Sequence, residues 1–341
     1  MTTLAQYKYL GADQEVRMGI GKTLIKVSPW LRDLPFVELQ HNDISRYKME
    51  TDDGGATVHQ VDDNWTVVNP TWEYREAQLA ILGDNISVDK FGEFASGPEK
   101  ATAAKIDLKS KGVGQTFDKL AIYGRTTSTG SLSDSKNFKG LLRMIAEAEG
   151  SSVIDLDGWL YTGNEDAGNN KQVVLAASGA SATLGLEMLD ALRDAVRPKP
   201  THYVMSRLML RKLQALAHAA GQDLRHEDDG LGNVISHYGA EQLLIDDQLK
   251  DNMNDSSGLV TAIADYDYTQ AIAATKDTSP IFAIRMGEDG LCGMNGVGMI
   301  QVEPLGTMEG KDATGYRVKF YCGMRLTNKR AAAVLLNATR S

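Results

Sequence analysis

Cysteine is nearly absent from this chain of 341 residues, which has only Cys292 and Cys322. They show no C-x-x-C spacing and no neighbouring His. That excludes a thiolate zinc site and a disulfide framework, and leaves a reduced, cytosolic protein as the simplest reading. Excess positive charge is lacking too. Lys and Arg number 36 against 45 Asp and Glu, a net charge of −9 with a pI near 5.2. This argues against a protein that grips nucleic acid through a basic surface and against a binder of anionic membranes. It leaves room for one that encloses nucleic acid without clamping it. No apolar run approaches the ~20 residues of a membrane span. The opening MTTLAQYKYLGADQEV lacks the basic-then-apolar pattern of a secretory signal. Internal repeats and low-complexity tracts are absent as well.

Catalytic motifs are equally scarce. Gly19-Ile20-Gly21-Lys22-Thr23 resembles the end of a phosphate-binding loop, but the motif needs a Gly where Val16 stands and a buried strand before it. Gly293, Gly296 and Gly298 have the wrong order for a dinucleotide fingerprint and are expected to form a tight turn. His218 and His226, with Glu227, Asp228 and Asp229, have nothing that enforces convergence on a metal, and a solvated loop is expected. Asp155, Asp157, Glu165 and Asp166 lack the calcium-loop spacing. Ser178 lacks the flanking glycines of a nucleophile elbow. No catalytic, cofactor-binding or metal-binding residue is therefore assigned, and a structural role is favoured over a soluble α/β enzyme.

What is present is ordinary globular composition, 42% hydrophobic and 24% charged. One core rarely grows past ~250–300 residues, so two subdomains, or a core with extensions, are expected. The chain is organised around PEKATAAKIDLKSKGVGQTFDKLAIY, residues 98–123. Ser96 supplies an N-cap and Pro98 suits the first turn. Ile106, Val113, Phe117 and Leu120 fall on one helical stripe. The rod is about 40 Å long. Gly112 and Gly114 interrupt it, each costing roughly 1 kcal/mol relative to Ala, so a bend is expected there.

Before the rod, Val16, Ile20 and Leu24 recur at helical spacing. Ser28-Pro29-Trp30-Leu31 reads as a cap and a short helix, and LPFVEL as extended chain. ISRYKMET and TWEYREAQLAIL are β-prone and flank DDGGATVHQVDDNW. With turn signals at Gly54-Gly55 and Asn69-Pro70 and four aspartates between, this reads as a two-stranded excursion with a polar tip. Such a ribbon is marginal by itself, and a neighbouring subunit is the expected support. After the rod, LLRMIAEAEG, the face of Met188, Leu189, Leu192 and Val196, and the Ser206-capped face of Leu210, Leu213, Leu216 and Ala217 read as helices. QLLID, GLVTAIAD, QAIAAT, PIFAIRM and GMIQVEPL read as strands. The last strand is the cleanest. Tyr316, Val318, Phe320, Cys322, Met324 and Leu326 alternate with Arg317, Lys319, Tyr321, Gly323 and Arg325.

The order and spacing of SPWLRDLPFVEL, LAILGDNISVDKF, FDKLAIYG, NFKGLLRMI, THYVMSRLMLRKLQALA and RVKFYCGMRLTNKRAAAVLL span residues 28–337. Together they resemble the major capsid proteins of tailed bacteriophages, with the Hong Kong 97-type fold. The resemblance implies an α+β chain with an N-terminal arm (1–41) and an extended β-ribbon loop (42–90). It further implies a peripheral domain (91–180, carrying the spine helix 98–123), an axial domain (181–311) and a return to the peripheral domain (312–341). It implies pentamers and hexamers closing into an icosahedral shell around double-stranded DNA, assembly in the host cytoplasm and residence in the virion. Partners would be further copies, a portal protein and, because only a short arm precedes the matching region, a separate scaffolding protein. Gly54, Gly55, Trp65, Trp72 and Tyr74 are the expected intersubunit contacts. Some relatives crosslink a loop lysine to a neighbour's asparagine. Lys48 and Asn328 are the residues to consider, though no motif places them together. An encapsulin-type nanocompartment shell enclosing cargo enzymes is the alternative with the same fold.

Overall fold

The computed structural model describes residues 2–3, 23–24, 26–39, 44–52, 55–65, 67, 69, 71–91, 98–124, 136–148, 154–155, 159–160, 172–177, 180–221, 223–228, 234–251, 266–267, 278–308 and 310–340. Ser96, Val16, Ile20 and the segments GLVTAIAD and QAIAAT lie outside these residues. In chain order the elements begin with β1 (Thr2–Thr3), α1 (Pro29–Asp33), β2 (Pro35–Glu38), β3 (Ile44–Asp52), β4 (Thr71–Gln78) and β5 (Ala80–Asp89). Then come α2 (Pro98–Tyr123), α3 (Leu141–Ala148), β6 (Ile154–Asp155), β7 (Trp159–Leu160), β8 (Val173–Leu175) and β9 (Ala182–Thr183). They continue with α4 (Leu186–Asp194), β10 (His202–Met205), α5 (Arg207–Ala219), β11 (Arg225–Asp228), β12 (Val234–Tyr238) and β13 (Glu241–Ile245). The last are β14 (Tyr266–Asp267), β15 (Ile281–Ile284), β16 (Leu291–Thr307), β17 (Ala313–Leu326), β18 (Ala332–Leu336) and β19 (Ala338–Thr339).

Two sheets carry the body. One has the strand order β1-β2-β16-β17-β5, and α2 lies across it. The alternation in β17 works as expected, with Val318, Phe320, Cys322, Met324 and Leu326 all buried. They meet the stripe Ile106, Val113, Phe117 and Leu120, also all buried. Phe117 is the centre of this contact. Its ring lies 6.1 Å from Phe36, 5.8 Å from Phe320 and 5.6 Å from Phe138, tilted distances at which aromatic rings attract.

The other sheet has the order β11-β12-β13-β10-β15-β18-β8-β7. Its central strands are covered on both faces. Val204, Leu244, Phe282, Ile284, Val334 and Leu336 face the α2 core, whereas Tyr203, Met205, Leu243, Ile281, Ala283 and Leu335 face α4 and α5. A strand buried on both sides has no polar face to alternate, so β18 reads as an unbroken apolar run. The helices that cover it start and stop where their sequences say. Ser206 Oγ caps α5 by accepting from the Met209 N–H, and α4 ends at Asp194, ahead of Pro198 and Pro200.

The sheets draw their strands from several segments of the chain. β16, within 181–311, pairs with β17, whereas β18, within 312–341, and β8, within 91–180, both belong to the eight-stranded sheet. Gly293, Gly296 and Gly298 form no tight turn. They lie inside β16, where the register to β17 shifts between Asn295 and Ile300. Glycine is needed there for space, because a Cβ on Gly293 would sit 2.6 Å from the Phe36 ring and one on Gly296 2.9 Å from Tyr321. Finally, α2 runs unbroken through Gly112 and Gly114. A Cβ at Gly114 would lie 3.1 Å from Leu24 and 3.6 Å from Ser28, so this glycine admits the arm, while the position at Gly112 is open.

Candidate assembly interface

β3 and β4 form a separate antiparallel ribbon, with Ile44 opposite Gln78 at the root and Asp52 opposite Thr71 at the far end. Period-two geometry divides its side chains between two faces. Ser45, Tyr47, Met49, Arg75 and Ala77 turn toward the body and are buried or half-buried. Ile44, Arg46, Lys48, Trp72, Tyr74 and Glu76 turn outward and are exposed.

The inward face is tied down at α3. Arg75 Nη1 donates to Glu147 Oε2 at 3.3 Å, and its Nη2 donates to the Glu147 carbonyl at 2.9 Å. Lys139 and Arg143 donate to the same carboxylate at 2.9 and 2.7 Å. Burial works against the charged form of Glu147, but Lys139 and then Arg143 outweigh it and hold the carboxyl below its ordinary value. Tyr47 lies beside this cluster, its phenol pushed up to about 12 chiefly by burial.

Among the described residues nothing of its own chain covers the outward face. Arg46 pairs with Glu76 across the strands at 2.7 Å, and the Lys48 ammonium sits 4.7 Å from the Trp72 ring and 5.6 Å from that of Tyr74. Exposed pairs of this kind contribute at most about 1 kcal/mol each. They arrange the rings but do not shield them.

Beyond the strands none of the described residues joins a ladder. Gly55 is left-handed, with φ 51°, and the chain reverses at Gln60–Asp63. There Asp63 N–H donates to the Gln60 carbonyl at 3.3 Å, Gln60 N–H donates to Asp63 Oδ2 at 2.6 Å, and Asp62 takes φ 73°. Aspartates thus supply both the side-chain acceptor and the left-handed residue of this turn. Gly54, half of the expected Gly54-Gly55 turn, lies outside the described residues. The tip is also less polar than expected. His59 stacks on Trp65 at 4.3 Å, and Val58, Val61, Trp65 and Val67 are between 81% and 99% exposed. Of the expected contacts, Trp65 is on the tip, Trp72 and Tyr74 share the outward face, and Gly55 shapes the backbone between. The valines were missed because scattered single apolar residues among acids carry no periodic signal.

Within the chain, Lys48 and Asn328 have other partners. The Lys48 ammonium faces the two rings, and Asn328 Oδ1 accepts from the Arg330 N–H at 2.8 Å to cap the turn Lys329–Ala331. His218 stands in the last turn of α5, and His226 meets Ser236 in the hairpin β11–β12, at 3.0 Å. Among the described residues no group of three His, Cys, Asp or Glu is placed to hold a metal ion, and no helix is long and apolar enough to cross a membrane.

No protein-family model matches the chain, and no curated protein sequence matches it. Solved structures do. The holo-SrpI encapsulin complex of Synechococcus elongatus superposes with a TM-score of 0.61 at 15% identity, covering 100% of this chain and 97% of that one. The capsid of a native GTA particle gives 0.57 at 11% identity, over 96% and 92%. A structure from Mycobacterium phage Ogopogo gives 0.51 at 13% identity, over 92% and 91%. The chain therefore has the α+β, Hong Kong 97-type fold of shell proteins along nearly its whole length.

Proposed function

We propose that this chain is the structural subunit of a closed shell: a major capsid protein whose pentamers and hexamers form the icosahedral container for the double-stranded DNA of a tailed phage. The carrying observation is the ribbon, a separate two-stranded sheet whose outward face and tip expose Trp65, Trp72, Tyr74, Val58, Val61 and Val67. A folded monomer gains nothing from holding these side chains in water, and large exposed apolar residues gathered on one ribbon fit contact between copies. In this reading residues 42–90 lie over an adjacent copy, and Gly55 lets the chain turn toward it. The net charge of −9 suits a wall that must not clamp the polyanion inside. The body divides into peripheral and axial parts, a scaffolding protein and a portal protein act during assembly in the host cytoplasm, and the product is the virion.

The second reading is an encapsulin-type compartment, favoured by the end-to-end likeness to the holo-SrpI encapsulin complex. Packaged nucleic acid against co-purifying protein separates the two. The subunit contact itself is tested by replacing residues 56–68 with a short Gly-Ser link. The variant is expected to fold, with unchanged far-ultraviolet circular dichroism of the body, and to form no shells by electron microscopy. Normal shells from this variant would remove the ribbon from the interface.

A further inference from the structure

Two acidic side chains are buried together beneath the segment 23–34. Asp118, on α2, and Asp246, in the turn after β13, are 2% and 1% exposed. Their hydrogen-bond partners are neutral. The Ser28 hydroxyl donates to Asp118 Oδ1. The Trp30 indole N–H donates to Asp246 Oδ2 at 2.8 Å, and the Gln248 N–H donates to Asp246 Oδ1 at 2.7 Å. Among the described residues no Lys or Arg pairs with either carboxyl.

Among the described residues, none of the other charged groups at this junction pairs with the two acids. Asp107 on α2 pairs with Lys111 and accepts from the Thr23 hydroxyl of the arm, and Asp33 accepts from Gln242 at 2.8 Å. From the loop, Asp247 pairs with Arg207, Asp251 accepts from the Ser206 hydroxyl, and Lys250 is exposed. From the arm, Arg32 pairs with Asp33, and Lys26 is exposed. From α2, the Tyr123 hydroxyl accepts from the Lys250 N–H at 3.1 Å. Burial, and then the charge of Asp246, raises the Asp118 carboxyl far above its ordinary range. Burial also raises Asp246, against the Gln248 and Trp30 N–H groups. Two carboxyls this dry, with only neutral hydrogen-bond partners, resist ionisation.

Both side-chain donors from the arm belong to one short piece of chain. Ser28 is also the N-cap of α1, accepting from the Leu31 N–H at 3.1 Å, and Trp30 is fully buried. The seat of the arm on α2 is therefore built over the acid pair.

We propose that Asp118 and Asp246 form a proton-dependent clasp: segment 23–34 stays seated on α2 while the pair keeps a proton, and is released when that proton passes to solvent. The sign follows from the raised carboxyls. Their contribution is complete below the ordinary carboxylate range and is lost as pH rises through the titration of the folded pair. The clasp is a property of the subunit and stands whether or not the shell reading does.

The test is hydrogen exchange by mass spectrometry on the full chain, from about pH 6 to about pH 10, with rates corrected for intrinsic exchange. The Leu31 and Leu34 N–H groups, bonded to Ser28 Oγ and the Trp30 carbonyl, report on the seat. Their protection is expected to fall by about tenfold per pH unit for each proton released, up to the titration of the folded pair, and to level off above it, while β18 keeps its own. Asp118→Asn retains an acceptor oxygen for Ser28 and cannot ionise, so it is expected to hold protection to higher pH. Asp246→Asn is no equivalent, because both Asp246 oxygens accept N–H groups and an amide NH2 cannot. A flat wild-type profile, a loss in step with β18, or an Asp118→Asn variant that releases as the wild type does would each overturn the clasp. If that variant does not fold, the wild-type profile decides alone.

Discussion

Gly112 and Gly114 are two residues apart on one helix and have opposite reasons to be small. Gly112 faces open space, so Gly112→Ala removes only the backbone freedom of glycine and is expected to raise stability by about 0.5–1 kcal/mol. Gly114 admits Leu24 and Ser28, so Gly114→Val is expected to push the arm off and lower stability, by roughly 1–3 kcal/mol. Urea denaturation of the two variants checks both signs, and equal effects would refute the distinction. Phe320 is the other diagnostic residue. It is fully buried with its ring against Phe117 and Phe36, and Phe320→Ala is expected to cost about 3–5 kcal/mol in the same assay. Phe320 was legible in the sequence because β17 buries one face only. Asp118 was not, because a lone acid in a lysine-rich helix looks like a solvated residue until Ser28 and Asp246 are seen beside it.

At the scale of elements, the ribbon has a rigid root and an unsupported face. The root depends on one carboxylate, Glu147, which answers to Arg75, Lys139 and Arg143 and is mostly buried. Glu147→Gln removes the counter-charge of Lys139 and Arg143 and leaves Arg75 only Glu73, and it is expected to cost about 2–4 kcal/mol, with faster hydrogen exchange in β3 and β4. Because cations hold Glu147 below its ordinary value, its contribution is present above the unfolded carboxylate range and is lost as pH falls through its folded value. The ribbon root should therefore loosen in acid, and the arm clasp in alkali. Exchange in β3 and β4 that did not change on acidification would contradict the first. The two strands were visible in the sequence as β-prone segments around a polar stretch. The reversal at Gln60–Asp63 was masked by the stronger glycine signal at Gly54-Gly55, and β18 gave no period because both its faces are buried.

At the scale of the whole molecule, the fold follows from two apolar layers that share the eight-stranded sheet, one with α2 and the other with α4 and α5, and from a ribbon that stands apart. The order of segments along the chain pointed to this architecture where no single motif did. The strand-level partition stayed hidden because β16, β17 and β18 are consecutive yet divide between two sheets. In the proposed reading the ribbon is what calls for a neighbouring copy, because its rings and valines are exposed on their own chain. Electron microscopy of the purified, full-length protein tests this most directly. The account predicts closed shells, or capsomers that close into shells, tens of nanometres across. A stable, compact monomer that never assembles, even under crowding, would contradict it.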